Sequence, residues 1–150
     1  MVRTKKQTRY RGLATVEVAI VFPLLLLLTF GAIKYGWLFL KAQQITNAAR
    51  HGARIAILPG KTTDEVELMI INLLGDVGIT ISADNVDFDP PDISSVSAGD
   101  TVTVQVTVPG ANVDIMDVPL LPQVGNLGAS VTMAKEGPFE VIPDPWPDPL

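Results

Sequence analysis

The sequence contains no cysteine and only one histidine, His51. Without thiols the chain can form neither disulfide bonds nor thiolate metal sites, and one imidazole leaves little material for a metal cluster or a histidine-based catalytic triad. The chain also lacks a phosphate-binding glycine loop and the G-x-S-x-G and H-E-x-x-H motifs. We therefore expect that the protein is not an enzyme and carries no cofactor or metal ion.

Positive charge is concentrated at the start of the chain. The formal net charge is -5, yet residues 1–12 contain five basic side chains and no acidic one, which leaves about -10 on the remainder. A body this acidic repels phosphates, so we expect no nucleic acid partner. Basic residues directly before an apolar run are typical of the topology signal of a membrane span. They are Arg3, Lys5, Lys6, Arg9 and Arg11.

One acidic stretch offers several carboxylates that could bind an ion: Asp84, Asp87, Asp89 and Asp92. Calcium prefers oxygen ligands, but the glycine and the terminal glutamate of the EF-hand loop are missing from this stretch. We interpret it as a solvated loop and keep ion binding as the less favoured alternative.

Residues 13–33 form an apolar run of 21 residues that is interrupted only by Glu17. About 20 residues suffice for a helix to cross the hydrocarbon core of a bilayer. The basic residues before the run predict a cytoplasmic N-terminus and an exported C-terminal part. Aromatic side chains flanked by lysines follow, as in the belt at a membrane interface. These residues are Tyr35, Trp37 and Phe39, with Lys34 and Lys41.

The apolar run has several possible interpretations, and they differ in whether they explain the carboxylate of Glu17. A cleaved secretory signal needs a small-x-small site soon after the apolar segment, and none follows here. An uncleaved anchor fits most features but gives Glu17 no role, although a carboxylate in lipid is expensive and usually has a partner. Snorkelling to the interface is the simpler explanation, since Glu17 lies only about one turn inside the run.

The stretch R-G-L-A-T-V-E-V-A-I-V-F-P-L-L-L-L-L resembles the start of a type IV pilin-like protein, and most closely the TadE family of pseudopilins from tight-adherence (Tad, Flp-type) pilus systems. The resemblance implies that a prepilin peptidase cuts between Gly12 and Leu13. Glu17 then becomes the fifth residue of the mature chain. In pilin-like assemblies this carboxylate is thought to pair with the N-terminal ammonium of a neighbouring subunit, so Glu17 would be an assembly residue.

A second stretch carries the same resemblance, an N-A-A-R-x-G-A-R pattern in a juxtamembrane helix. Its residues are Asn47, Ala48, Ala49, Arg50, Gly52, Ala53 and Arg54. Together the two stretches cover roughly residues 11–58. Read without the family, the small residues recur at helical spacing from Ile45 to Ala56 and form a narrow stripe. Such a stripe suits helix–helix contacts in membranes or packing against the protein's own C-terminal domain, and both stay open.

The charged residues of this stretch have two interpretations as well. Arg50 and Arg54 lie one turn apart and could bind lipid headgroups or the acids of a partner. Such charges more often form a solvated face, which we favour. We expect His51 to be a surface residue.

The chain divides into a cleaved basic leader (1–12), a long transmembrane and amphipathic helix (13–58), an exported α+β domain (59–137) and a proline-rich tail (138–150). Within the domain, Thr62 and Glu65 fit a capping box that begins a second helix. Its apolar face comprises Val66, Met69, Ile70, Leu73 and Leu74, and Gly75 or Gly78 ends it.

Strands are expected after the second helix. Ile79 and Ile81 suggest a short strand, and Val86 with Phe88 its continuation or a second one. Residues 101–108 alternate cleanly, with their valines on one face, and residues 129–136 alternate again with Val131 and Met133 inward. Leu120 and Leu121 form an apolar tip between prolines, and Trp146 lies in the tail. The fold class is therefore α+β and pilin-like: a long N-terminal helix, a second helix and a three- or four-stranded antiparallel sheet.

The resemblance implies a minor pilin or pseudopilin held in the inner membrane. Its partners would be a prepilin peptidase, an assembly ATPase with its membrane platform, other pilins and the lipid membrane. The alternative is an uncleaved single-pass anchor that displays an exported acidic binding domain. Cleavage and the requirement for Glu17 distinguish the two.

Overall fold

The computed structural model describes residues 11–115 and 122–137. The basic leader up to residue 10, the apolar tip at Leu120 and Leu121, and the tail with Trp146 lie outside these ranges. The described part contains two helices, α1 (Arg11–Ala56) and α2 (Thr63–Asp76), and three strands, β1 (Val86–Asp89), β2 (Thr101–Val108) and β3 (Leu127–Ala134). The predicted α+β fold with a second helix and a small antiparallel sheet is confirmed, with three strands in the order β1-β2-β3.

Helix α1 has 46 residues, which corresponds to a length of about 69 Å at 1.5 Å per residue. Its first half exposes nearly all of its large apolar side chains, whereas its second half is buried along one face. In the part of the chain that the structure describes, α1 is the one helix that is long and apolar enough to cross a membrane. We call the part that follows it, residues 59–115 and 122–137, the head domain.

Helix α2 begins and ends as local chemistry requires. At its N-terminus Thr62 Oγ1 accepts a hydrogen bond from Glu65 N at 3.4 Å, which is the Thr62 half of the predicted capping box. At its C-terminus Gly78 adopts φ 71°, a left-handed conformation that glycine tolerates best. The amide of Ile79 then reaches back to Leu74 O at 2.9 Å, which completes a Schellman motif.

This motif explains why one sequence prediction is wrong. Ile79 and Ile81 belong to no strand. The side chain of Ile79 instead packs in the core beside Leu74, both fully buried, as the apolar contact that accompanies a Schellman motif. Alternation of two isoleucines was a local signal, and the cap at Gly78 overrode it.

The sheet buries one face and leaves the other polar. All four valines of β2 are fully buried, and β1 and β3 pair antiparallel on either side of it. On the outer face the hydroxyls of Thr103 and Thr132, which are cross-strand partners, lie 2.8 Å apart. The predicted alternation of residues 101–108 is confirmed, and Val131 and Met133 are half-buried on the inner side of β3.

Helix α1 lies against the inner face of the sheet and contacts β2, β3 and α2. The stripe of small residues forms this contact, because Ala49, Ala53 and Ala56 are completely buried in the core of the head domain. Of the two interpretations of the stripe, packing against the protein's own domain is therefore the one that the structure adopts. A Cβ atom added to Gly52 would overlap with Ile70 of α2, so glycine at this position allows the two helices to approach.

We expect Gly52→Val to destabilise the head domain by roughly 2 kcal/mol, because overpacking a filled core costs about 1–3 kcal/mol. Gly36→Val is the matched control, since a Cβ at that exposed position meets nothing within 4 Å. Thermal unfolding of both variants in detergent would measure the difference. Equal losses at the two positions would show that contact with Ile70 is not the reason for glycine at position 52.

Candidate functional site

The first half of α1 carries the proposed processing and assembly residues. The backbone of Gly12 and Leu13 is helical and lies within α1. Glu17 is exposed among apolar neighbours that are exposed as well. Along the helix axis, Glu17 lies about 26 Å from Lys34, which approaches the roughly 30 Å thickness of a bilayer core. Glu17 thus stands at one end of the exposed apolar half, and Lys34 marks the other end.

Lys34 joins α1 to the head domain through an ion pair. Its ammonium lies 2.9 Å from Asp114 Oδ2, and the side chains are 2% and 20% exposed, respectively. A buried ion pair seldom adds much net stability, yet removing one partner leaves an uncompensated charge. The pair therefore fixes where along α1 the loop after β2 is seated.

About one and two turns further along α1, Trp37 and Lys41 also bond to the head domain. Trp37 Nε1 donates to the carbonyl of Val113 at 3.0 Å. Lys41 Nζ donates to Val77 O at 2.7 Å and stands 4.9 Å from the centroid of the Trp37 ring. Val77 is the C-cap of α2, where carbonyl groups lack helical partners and a cation interacts favourably with the helix dipole.

Lys135 performs the equivalent task at the end of α1. Its ammonium donates to Ala56 O at 3.2 Å and to Ile93 O at 2.7 Å, while the amide of Glu136 donates to Ile57 O at 3.0 Å. The carbonyl of Ala56, the last residue of α1, and that of Ile57 directly after it are thereby satisfied by the segment that follows β3. Each end of the contact between α1 and the head domain thus has a buried lysine.

The residues of the predicted aromatic belt lie in two different environments. Tyr35 and Phe39 are 55% and 67% exposed, as a membrane interface requires. Lys34 and Lys41, which were interpreted as its charged flanks, are buried against the head domain instead. That part of the prediction is wrong because both lysines lie on the buried face of α1, whereas the two rings are exposed.

Spacing could have revealed these lysines. One series of buried positions continues along α1 at separations of alternately four and three residues, which keeps them on one face of a helix. They are Lys34, Leu38, Lys41, Ile45, Ala48 and Gly52. Extending the stripe of small residues toward the N-terminus therefore leads directly to both lysines.

The N-A-A-R-x-G-A-R stretch separates into a buried and an exposed half. Ala48, Ala49, Gly52 and Ala53 are buried against the head domain, and Asn47, Arg50 and Arg54 face solvent. His51 is exposed as well, which confirms its interpretation as a surface residue.

One residue of the acidic stretch, Asp92, accepts hydrogen bonds from within the protein. Asp84, Asp87, Asp89 and Asp92 are all exposed. Asp92 Oδ1 accepts from Ser94 Oγ at 2.5 Å and from Ser94 N at 2.9 Å. These hydrogen bonds hold the pKa of the Asp92 carboxyl below its usual value. Within the described ranges no group of three or more histidine, cysteine, aspartate or glutamate side chains is placed to hold a metal ion.

Comparison with known proteins places the family signal on α1. Residues 12–54 match the family model described as TadE-like protein, which confirms the resemblance over both quoted stretches. No curated protein and no solved structure matches the chain. The matched segment runs from the predicted processing site through Glu17 to Arg54, and thus joins the exposed apolar half of α1 to the half that the head domain covers.

Asp114→Asn should destabilise the joint by about 3 kcal/mol, because it leaves the Lys34 charge buried without this carboxylate. Lys34→Met removes the charge itself and should cost less. The double variant should lose less than the sum of the two single losses. Denaturant unfolding in detergent, followed by Trp37 fluorescence in a Trp146→Phe background, measures all three variants. Strictly additive losses would show that the two side chains do not interact.

Proposed function

We propose that the protein is a minor pilin or pseudopilin of a Tad-type pilus, cleaved by a prepilin peptidase after Gly12 and then incorporated into the pilus or the complex that initiates it. One observation carries this proposal. The segment that matches the TadE-like family is a single continuous helix whose apolar first half is exposed, with Glu17 near its start.

The two halves of α1 support different parts of the proposal. The exposed apolar half has the length and composition of a single membrane span. In the proposed topology the basic leader remains in the cytoplasm and the head domain is exported across the inner membrane, in accordance with the distribution of positive charge. The other half of α1 fixes the head domain rigidly to the span through Lys34, Lys41 and Lys135.

Glu17 is the proposed assembly residue. Cleavage after Gly12 would create an ammonium group on Leu13, four residues before Glu17. Four residues correspond to about 6 Å along a helix, so pairing between copies sets neighbouring helices about one turn apart. In surroundings of low dielectric such a pair determines register even where its net stability is small.

The proposed partners are a prepilin peptidase, an assembly ATPase with its membrane platform, and other pilins. The match to the TadE-like family supports an association with pilus components in general. No step of the proposal requires catalysis by this chain.

Processing is tested by the intact mass and N-terminal residue of the protein extracted from membranes with and without the prepilin peptidase. We expect a chain that begins at Leu13 only when the peptidase is present. A chain that keeps residues 1–12 under both conditions would overturn the proposal and favour an uncleaved single-pass anchor.

Assembly is tested with Glu17→Ala. We expect the variant to insert into the membrane and to be cleaved, but to lose assembly into pili. Thr29→Ala is the matched control, since Thr29 is a polar residue of the same exposed half whose hydroxyl donates to Leu25 O of its own helix, at 2.8 Å. Electron microscopy of pili and fractionation of membranes would distinguish the two. Normal piliation in Glu17→Ala would refute the pairing role.

A further inference from the structure

A groove of about 420 Å³ runs between the exposed side of α1 and strand β3. The helix contributes polar and cationic side chains to it, and the strand contributes apolar ones. Its lining residues are Asn47, Arg50, His51, Arg54, Val131 and Met133. None of these described lining residues is acidic, so the groove combines an apolar floor with a cationic wall.

The two apolar residues at the floor of the groove are only partly covered by the rest of the protein. Val131 and Met133 point to the inner side of the sheet but stay half-buried, whereas the inward valines of β2 are fully buried. In the described part of the chain β3 pairs with β2 on one side only, so its other edge lies along the groove. Partly exposed apolar side chains beside a strand edge and a cationic wall form a surface suited to an anionic protein segment.

Lipid headgroups do not suit this groove. Arg50 lies 16 residues beyond Lys34, where the exposed apolar half of α1 ends, and this corresponds to about 24 Å along the helix. The arginines therefore stand well outside the interfacial layer. The binding partner of these arginines is therefore a protein surface at the level of the head domain.

The opposite edge of the same sheet has the complementary charge. Because the strand order is β1-β2-β3, β1 lies at the far edge from the groove. Asp87 and Asp89 of β1 are exposed, and Asp84 is exposed in the helical turn directly before it. The protein is therefore cationic at the groove, where α1 borders β3, and anionic at the β1 edge.

Anchoring in one membrane restricts how two copies can meet. Spans that point the same way place their head domains side by side, and two copies of the groove would oppose arginine with arginine. A head-to-tail contact, with the β1 edge of one copy in the groove of the next, joins opposite charges. It also leaves a free edge at each end, and contacts of this kind build open helical assemblies.

We propose that the groove between α1 and β3 receives the acidic β1 edge of a second copy of this chain. Arg50 and Arg54 face Asp84 and Asp87 of the neighbour, and Val131 and Met133 are covered on contact. The inference rests on the proposed function, since it requires copies assembled from one membrane.

The absence of cysteine allows a direct test in assembling cells. Asn47→Cys marks the groove and Ala83→Cys marks the β1 edge, and both positions are exposed and uncharged. The two single-cysteine variants are expressed together and treated with a short bismaleimide. We expect a covalent dimer of the two marked chains and none when either variant is expressed alone.

Charge reversal tests the recognition itself. Arg50→Glu with Arg54→Glu in the Asn47→Cys chain should lower the dimer yield about tenfold, because two attractive exposed pairs become repulsive. Asp84→Lys with Asp87→Lys in the Ala83→Cys chain should restore it. Lys61→Glu in the Asn47→Cys chain is the matched control, because Lys61 is exposed outside the groove and pairs with Glu65 at 3.2 Å.

Each other outcome overturns the proposal. A dimer formed by Asn47→Cys alone would mean that two grooves face each other. Absence of the mixed dimer, or insensitivity to charge reversal, would mean that the groove serves a different partner or lipid. The mass of the same chains reports cleavage after Gly12, so cleaved chains without a mixed dimer would refute this contact and leave the proposed function intact.

Discussion

The joint between α1 and the head domain depends on small side chains at one face of a continuous helix. The side chains of Ala49 and Ala53 are small, and Gly52 has none. Ile70 of α2 and Val104 of β2 can therefore approach the backbone of the helix at Gly52. Close-packed interiors tolerate changes of volume poorly. The same continuous helix therefore has the length and composition of a membrane span at one end and is a central core element at the other.

Lysine, which is rarely buried, stabilises this joint at three positions. Each ammonium has a defined partner: the Asp114 carboxylate for Lys34, the end of α2 for Lys41, and the end of α1 for Lys135. Burial of an unpaired charge would cost several kcal/mol. Lys41 and Lys135 meet backbone carbonyls at helix ends, which otherwise lack partners. The head domain thus satisfies its helix termini with the same contacts that attach it to α1.

Rigid attachment has a consequence for assembly. If register is set in the membrane by Glu17, the position of every head domain relative to its neighbours is set as well. The groove beside β3 of one copy and the acidic edge at β1 of the next are then held at a fixed offset of about 6 Å along the helices. A contact between them needs no conformational change, only the lateral approach of two spans.

Local patterns were sufficient for a large part of this structure. The apolar run, the cap at Thr62 and the alternation of β2 are each written within a few neighbouring residues, because helix and strand periods are short. The family resemblance on residues 12–54 depended on contiguous motifs for the same reason. Only the tertiary structure decided that Lys34 and Lys41 are buried, that Ile79 belongs to a helix cap rather than a strand, and that Arg50 and Arg54 border a groove. Their partners are distant along the chain, 36 residues for Lys41 and Val77 and 76 for the neighbouring bond from Trp37 to Val113. No local period encodes which distant carbonyl or strand will meet a side chain, since that is determined by how the whole chain packs.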